Sequence, residues 1–300
     1  MELNNYILKN ALIVALSSLA FLLAGCSVKT TQQSEGQTRI ITDDLGRSVR
    51  LPAQIGRAVS LAPNLTENIF AVGAGDRLVG VTTYCDYPKE AAAIEKVGDT
   101  QSPNAEKIIA LMPQVVFVST ASQLEAFTSV LSDQSISVFV TNPTSFDAVL
   151  KNLNQLGEIF ETEAVAEALI SDMKRRADTI QARNASERPI RVFVQISKEP
   201  LYTIGRGSFL TEIVERAGGY VVTRDVETAF PVLSKETALA LSPEAIILSD
   251  SSDNREPNEA FNDSPAVRDG RVVRINADIL SRPGPRLVQA IEEINRSLHQ

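Results

Sequence analysis

Apolar and polar positions along this chain change period several times, and the changes mark its parts. Residues 144–183 read as helical throughout. Apolar side chains fall at Phe146, Val149, Leu150, Leu153 and Leu156, spaced by three and four. Thr144 or Ser145 would cap the start, with Asp147 in the first turn. Gly157 is expected to interrupt this helix and Thr162 to restart a second one. Val165, Leu169, Met173, Ala177 and Ile180 form its single stripe. At 1.5 Å per residue, residues 162–183 would make a helix about 33 Å long. A helix of that length with one narrow stripe suits a spine joining two bodies.

On the N-terminal side, residues 40–52 alternate in the manner of a hairpin, with a turn at Asp44-Leu45-Gly46. Short apolar runs follow at 58–62, 78–81, 115–118 and 138–140, each reading as a buried strand. Helical segments at 65–72, 106–111 and 124–131 separate them. Asn64 and Glu67 are spaced as a capping box, and Pro103 is expected at the first position of the second helix. This βαβαβαβ order predicts a parallel sheet flanked by helices.

The C-terminal side repeats the plan. Arg191-Val192-Phe193-Val194-Gln195-Ile196 parallels Arg57-Ala58-Val59-Ser60-Leu61-Ala62, and Leu210-Thr211-Glu212-Ile213 parallels Leu65-Thr66-Glu67-Asn68. The stretch 239–247 parallels 109–116, and a last strand at 272–275 precedes a last helix at 285–298. The fold class is therefore α/β: two parallel-sheet α/β lobes joined by a single long helix, with a ligand cleft between the lobes. The expected divisions are a signal peptide at 1–25, a tether at 26–39, an N-terminal lobe at 40–160, the connecting helix at 161–188 and a C-terminal lobe at 189–300.

Composition narrows the function. The net charge of −8 argues against a nucleic-acid partner, which would call for a basic face. Lys9 precedes an apolar run at 11–24, shorter than the roughly 20 residues of a membrane-spanning helix, so it reads as a signal segment. It ends in Leu23-Ala24-Gly25-Cys26, which resembles a bacterial lipobox in which Cys26 is lipidated. Ser27, rather than Asp, follows it, as in lipoproteins not held at an inner membrane. The expectation is an exported protein anchored to a membrane by lipid. Cys85 is the only other cysteine and has no partner for an intramolecular disulfide. His299 is the sole histidine, so a His-based zinc site and most His-dependent nucleophile arrangements are excluded.

In open α/β sheets, ligands sit beyond the carboxyl ends of the strands. The loops expected there are Pro63-Asn64 and residues 83–88, 197–208, 226–231 and 276–285. They carry Tyr84, Tyr87, Tyr202 and Phe230. Singly each of these is as consistent with core packing. As a set they point to an aromatic-walled pocket for a large, planar, partly apolar ligand.

Three stretches carry a family resemblance. They are Arg57-Ala58-Val59-Ser60-Leu61-Ala62-Pro63-Asn64-Leu65-Thr66-Glu67, Val79-Gly80-Val81-Thr82-Thr83-Tyr84-Cys85-Asp86-Tyr87-Pro88 and Ser281-Arg282-Pro283-Gly284-Pro285-Arg286. They resemble the substrate-binding proteins of ABC importers that carry vitamin B12, iron-siderophores and haem, and the second leans toward the cobalamin branch. The resemblance implies two α/β lobes joined rigidly by one long helix, and partners in an ABC permease and its ATPase. It also implies a metal-chelate ligand, a corrinoid, with no cofactor and no metal bound directly by the protein, and a monomer. By the same resemblance Tyr84 would lie against the corrin ring, with Tyr202 and Phe230 on the facing lobe and Asp278 and Arg282 at the ligand rim. Glu106 and Glu215 would dock on permease arginines. Thr100 departs from the cobalamin branch, which can carry an aromatic residue there.

Two other readings compete. A siderophore receptor would want cations in the cleft, and Lys198, Arg206, Arg282 and Arg286 are candidates. Haem would need a tyrosine ligand, given the single terminal histidine. An enzyme is disfavoured, because Gly73-Ala74-Gly75 and Gly205-Arg206-Gly207 lack the third glycine and the placement of a dinucleotide fingerprint.

Overall fold

The computed structural model describes residues 37–119 and 124–299. The expected signal segment, Cys26 and nearly all of the tether lie outside the described residues. Among the described residues no helix is long and apolar enough to cross a membrane.

The chain enters through an antiparallel hairpin, β1 (Thr38–Thr42) and β2 (Ser48–Pro52), starting two residues before the expected position. Alternation buries Ile41, Val49 and Leu51 on one face. Asp43 shapes the turn by accepting from the backbone N–H groups of Leu45 and Arg47 at 3.0 and 2.9 Å. Asp44 N–H donates to the Val140 carbonyl at 3.1 Å and Asn142 N–H to Asp44 Oδ2 at 2.7 Å. The hairpin thereby covers an otherwise open sheet edge.

The first sheet comprises β3 (Ala58–Ser60), β4 (Leu78–Val81), β5 (Val115–Ser119) and β6 (Ser137–Thr141), all parallel, in the order β4-β3-β5-β6. The second comprises β7 (Ile190–Gln195), β8 (Gly219–Val221), β9 (Ala245–Asp250) and β10 (Val272–Asn276), all parallel, in the order β8-β7-β9-β10. Counted within each sheet both read 2-1-3-4, so the internal repeat is a repeat of topology. The sequence pattern did not reveal β8, whose three residues are too few to show a period.

The helices of the first sheet are α1 (Pro63–Ala71), α2 (Ala105–Ala110) and α3 (Leu124–Asp133). Between the sheets run α4 (Phe146–Phe160) and α5 (Glu163–Asn184). The second sheet is served by α6 (Phe209–Arg216), α7 (Lys235–Leu241), α8 (Pro265–Arg268), α9 (Ala277–Ser281) and α10 (Leu287–Leu298). Several expected details change. The Asn64–Glu67 capping box does not form: Pro63 is the first residue of α1, Ala62 precedes it, and the Glu67 carboxylate is engaged elsewhere. Asn104 caps α2 by accepting from Lys107 N–H, so Pro103 lies outside the helix rather than at its first position.

Gly157 does not interrupt α4. The helix runs through it to Phe160 and turns at Glu161, whose φ of 58° is left-handed. A Cβ on Gly157 would lie 2.5 Å from the Ala166 Cβ, so the glycine lets α5 approach α4 closely. At the start of α5 Ala166 takes the inward position expected of Val165, and the rest of the stripe holds, with Leu169 packed against the core. Ala166, Met173, Ala177 and Ile180 are buried, whereas Val165 is 48% exposed.

One continuous apolar core takes in side chains of β3, α1, α4, α5, β7, α6 and α10. Two smaller cores back the sheets on their other faces, around Val116, Val118 and Leu131 in one lobe and Phe193, Ile246 and Phe261 in the other. The helix α5 packs on α4 on one side and on α6 and α10 on the other. The lobes are thus fused through their shared core, and their carboxyl strand ends remain free to carry loops.

Candidate functional site

Parallel order places every strand-to-helix loop of a sheet at the same end, and the 2-1-3-4 order puts the switch point between the first and third strands. The loops after β3 and β7 flank those switch points. In the first lobe the chain turns from β3 straight into α1, leaving Pro63 and Asn64 half-buried at the helix start. The next loop, after β4, presents Tyr84, which is 60% exposed. It is held from beneath. Cys85 is buried, with the hydroxyls of Thr66 and Thr82 both 3.1 Å from its Sγ. Lys96 Nζ donates to the carbonyls of Cys85 and Ala91 at 3.1 and 2.9 Å, stapling both limbs of the loop.

In the second lobe the loop after β7 and the segment before α7 zip together. Backbone N–H groups of Thr203, Gly205 and Arg206 donate to Pro231, Ala229 and Val226, and Leu233 returns a bond to Leu201. A Cβ on Gly205 would lie 2.4 Å from the Thr228 carbonyl, so only glycine permits this approach. The resulting platform presents Tyr202 and Phe230, 39% and 46% exposed. Each lobe therefore offers large aromatic surface from a hydrogen-bonded loop at the carboxyl end of its sheet.

The polar candidates stand differently. Arg282 and Asp278, expected at the ligand rim, are engaged in ion pairs. Arg282 contacts Asp278 at 2.7 Å, Asp86 at 2.9 Å and Glu67 at 2.8 Å. Arg286 forks onto both Glu67 oxygens at 2.8 and 2.6 Å and lies 4.3 Å above the Tyr87 ring. Burial opposes the charge of Arg282, but its hydrogen bonds to Glu67 and Asp86 carry its pKa above the ordinary value. Burial likewise works to raise Asp86, and the Arg282 hydrogen bond and charge bring it below the usual carboxylate range. Beside this network a pocket of about 510 Å³ is lined by Phe70, Ala71, Tyr87, Pro88 and Pro285 together with Glu67, Glu90 and Arg286. The remaining cleft-loop cations are also paired: Lys198 with Glu259 at 2.9 Å, and Arg206 with Glu227 and, at 3.8 Å, Asp225.

Glu106 is exposed in the first turn of α2. Glu215 lies in the last turn of α6, where the helix dipole disfavours an anion. It has an internal partner there, Arg224 at 2.7 Å, and burial holds its pKa above the ordinary value. Its placement at a helix end therefore requires no external partner. The topological equivalent of Glu106 is Glu236, exposed in the first turn of α7, where its own backbone amide and the Ser234 hydroxyl hold its pKa down. Extending the 109–116 and 239–247 match three residues toward the N-terminus would have found it. Both helices begin at the carboxyl ends of their sheets, so the two carboxylates lie on the side of the molecule that carries the aromatic loops.

His299 pairs with Glu187 at 2.9 Å, away from these loops. No group of three or more His, Cys, Asp or Glu poised to hold a metal ion occurs among the described residues. The arrangement offers aromatic faces and neutralised charge, which suits capture of a bulky ligand.

A sequence profile described as periplasmic binding protein matches residues 59–279. An uncharacterized ABC transporter substrate-binding lipoprotein of Bacillus subtilis is 31% identical, covering 95% of each chain. The vitamin B12-binding protein of Vibrio cholerae is 31% identical over 81% of this chain and 89% of the relative. The crystal structure of a periplasmic vitamin B12 binding protein of Vibrio cholerae superposes with a TM-score of 0.71 at 28% identity, covering 83% of this chain and 98% of that one. A periplasmic haem binding protein of Vibrio cholerae shares the fold with a TM-score of 0.74 at 22% identity, covering 81% and 99%.

Proposed function

This chain belongs to the periplasmic binding protein family, and on that premise we propose that it is the lipid-anchored substrate-binding protein of an ABC importer, capturing cobalamin or a related corrinoid between its lobes and delivering it to the permease. The observation that carries this reading is the set of exposed aromatics on the carboxyl-end loops of both sheets: Tyr84 on one lobe, Tyr202 and Phe230 on the other. The corrin macrocycle of cobalamin is broad, with flat apolar faces and a rim of uncharged amide groups, so aromatic side chains bind its face without any demand for a free cation. The relative that binds vitamin B12 supports the same ligand.

The pairing of the cations discriminates among chelates. An anionic siderophore would have to displace Glu259 from Lys198, Glu227 from Arg206, or Glu67 and Asp86 from Arg282. Haem would meet a tyrosine as its iron ligand, but its propionates would face the same occupied cations. A corrinoid asks for none of these exchanges.

For docking, Glu106 and Glu236 replace the expected pair Glu106 and Glu215. They are exposed, equivalent in the repeat, and begin helices on the ligand-bearing side. Cys26 supplies the membrane anchor in this reading, and the permease with its ATPase consumes the loaded form. The fused core keeps closure on ligand small, so little ordering cost accompanies capture.

Titration calorimetry with cyanocobalamin, a ferric siderophore and haem tests the reading. Cyanocobalamin should bind one to one and tighter than about 10 μM, a free energy beyond about −7 kcal/mol. Weaker cyanocobalamin binding, or clear preference for another chelate, overturns it.

A further inference from the structure

Glu67 and Glu212 are equivalent residues of the internal repeat, each in the helix after the first strand of its sheet. Each reaches out of its own lobe. The Glu67 carboxylate is almost fully buried and accepts from Arg286 at 2.6 and 2.8 Å and from Arg282 at 2.8 Å. Arg286 is the residue that precedes α10. Glu212 Oε2 accepts the backbone N–H of Phe146, the first residue of α4, at 2.8 Å. Its Oε1 accepts from Arg216 Nε at 2.9 Å, and the Arg216 guanidinium lies 4.9 Å over the Phe146 ring.

The helices addressed are equivalent too: α4 follows the last strand of the first sheet, and α9 and α10 follow the last strand of the second. Each lobe therefore sends a glutamate to the segment after the final strand of the other. The two contacts use different chemistry at the same topological point. One is a forked carboxylate–guanidinium pair, directional and largely dry. The other satisfies an orphan amide at a helix N-terminus, where negative charge is also favoured by the helix dipole. Asn68 adds a third cross-lobe bond beside the first, donating to the Pro283 carbonyl at 3.2 Å.

We propose that Glu67 and Glu212 are reciprocal positioning residues that set the spacing of the two lobes, and with it the width of the ligand cleft. Apolar contact between lobes resists separation but is tolerant of sliding, whereas two separated, directional contacts fix both distance and tilt. The spacing claim stands on these contacts alone; its consequence for ligand rests on the corrinoid reading above.

The test places nitroxide labels on Ala110→Cys and Ala240→Cys, exposed positions on α2 and α7, in the full-length chain carrying Cys26→Ser. Pulsed dipolar spectroscopy without ligand should give a narrow distance distribution for this parent. Glu67→Gln with Glu212→Gln should at least double its width or shift its mean, each single variant doing less. Amide exchange at Phe146 should accelerate in Glu212→Gln beyond the rest of α4, which uniform destabilisation would not produce. Cyanocobalamin should dissociate about tenfold faster from the double variant. If the double variant does not fold, Glu212→Gln and Arg286→Gln, measured separately, give the same readout. Distributions superimposable on the parent overturn the proposal. Altered distributions without cyanocobalamin binding in any chain would overturn the corrinoid reading and leave this one standing.

Discussion

The backbone N–H of Phe146 donates to Glu212 Oε2 across 2.8 Å, so the first amide of a helix in one lobe is satisfied by a carboxylate from the other. Glu67 makes the matching contact in the opposite direction, with Arg286 Nη2 2.6 Å from its Oε1. Side chains that identity alone would class as surface acids are thus committed to holding the lobes together.

Glu67→Gln leaves two largely buried guanidinium groups short of their shared acceptor. Breaking one side of a buried ion pair costs about 3–5 kcal/mol. Arg282 keeps Asp86 and Asp278, which places the expected loss near about 3 kcal/mol. Urea unfolding should show a lower midpoint with an unchanged slope. A midpoint equal to that of the parent would show that Glu67 carries no such load.

Tyr84→Ala, Tyr202→Ala and Phe230→Ala should each weaken cyanocobalamin binding about tenfold, corresponding to roughly 1.4 kcal/mol. All three side chains are substantially exposed, so the melting temperature should stay within about 2 °C of the parent. Calorimetry and thermal melts on the same samples separate loss of contact from loss of fold.

Glu236→Arg and Glu106→Arg should lower uptake in a reconstituted transporter while leaving ligand affinity unchanged. Glu215→Gln should leave uptake intact. Its stability effect has a defined sign. Burial raises the folded pKa of Glu215, so its ionised form costs stability above that pKa, and the cost disappears below the unfolded value. Glu215→Gln should therefore stabilise the protein at neutral pH and match the parent in acid, as read by unfolding at several pH values. Stabilisation only in acid would reverse the assignment.

Gly157→Ala should destabilise the protein by about 1–3 kcal/mol through overpacking, because the new methyl would meet Ala166 Cβ at 2.5 Å. Gly205→Ala should act on the ligand instead, prising apart the two loops that present Tyr202 and Phe230, and so weaken cyanocobalamin binding more than it lowers the melting temperature.

The architecture was legible in the chain because its signals are local. Apolar runs flanked by Pro and Gly marked seven of the eight sheet strands, and the repeat of Leu-Thr-Glu around Glu67 and Glu212 announced two like halves. What was not legible depends on residues far apart in sequence. Glu67 satisfied the spacing of a local cap, yet partners some two hundred residues away won its carboxylate, since a forked pair in a dry interface outweighs one exposed backbone amide. The rim role of Arg282 came from the family resemblance of its motif, and its partners Glu67, Asp86 and Asp278 emerge only from packing, since two of them lie some two hundred residues away. Gly157 read as a stop by propensity, but the gain from close approach of α5 overrode the cost of glycine within a helix.

A crystal structure of the protein with cyanocobalamin would read the ligand position and the lobe contacts together. The corrin should lie between Tyr84 on one side and Tyr202 and Phe230 on the other, with the Glu67–Arg286 and Glu212–Phe146 contacts intact. A corrinoid bound away from these aromatics, or lobes closed on it with both contacts broken, would contradict this arrangement.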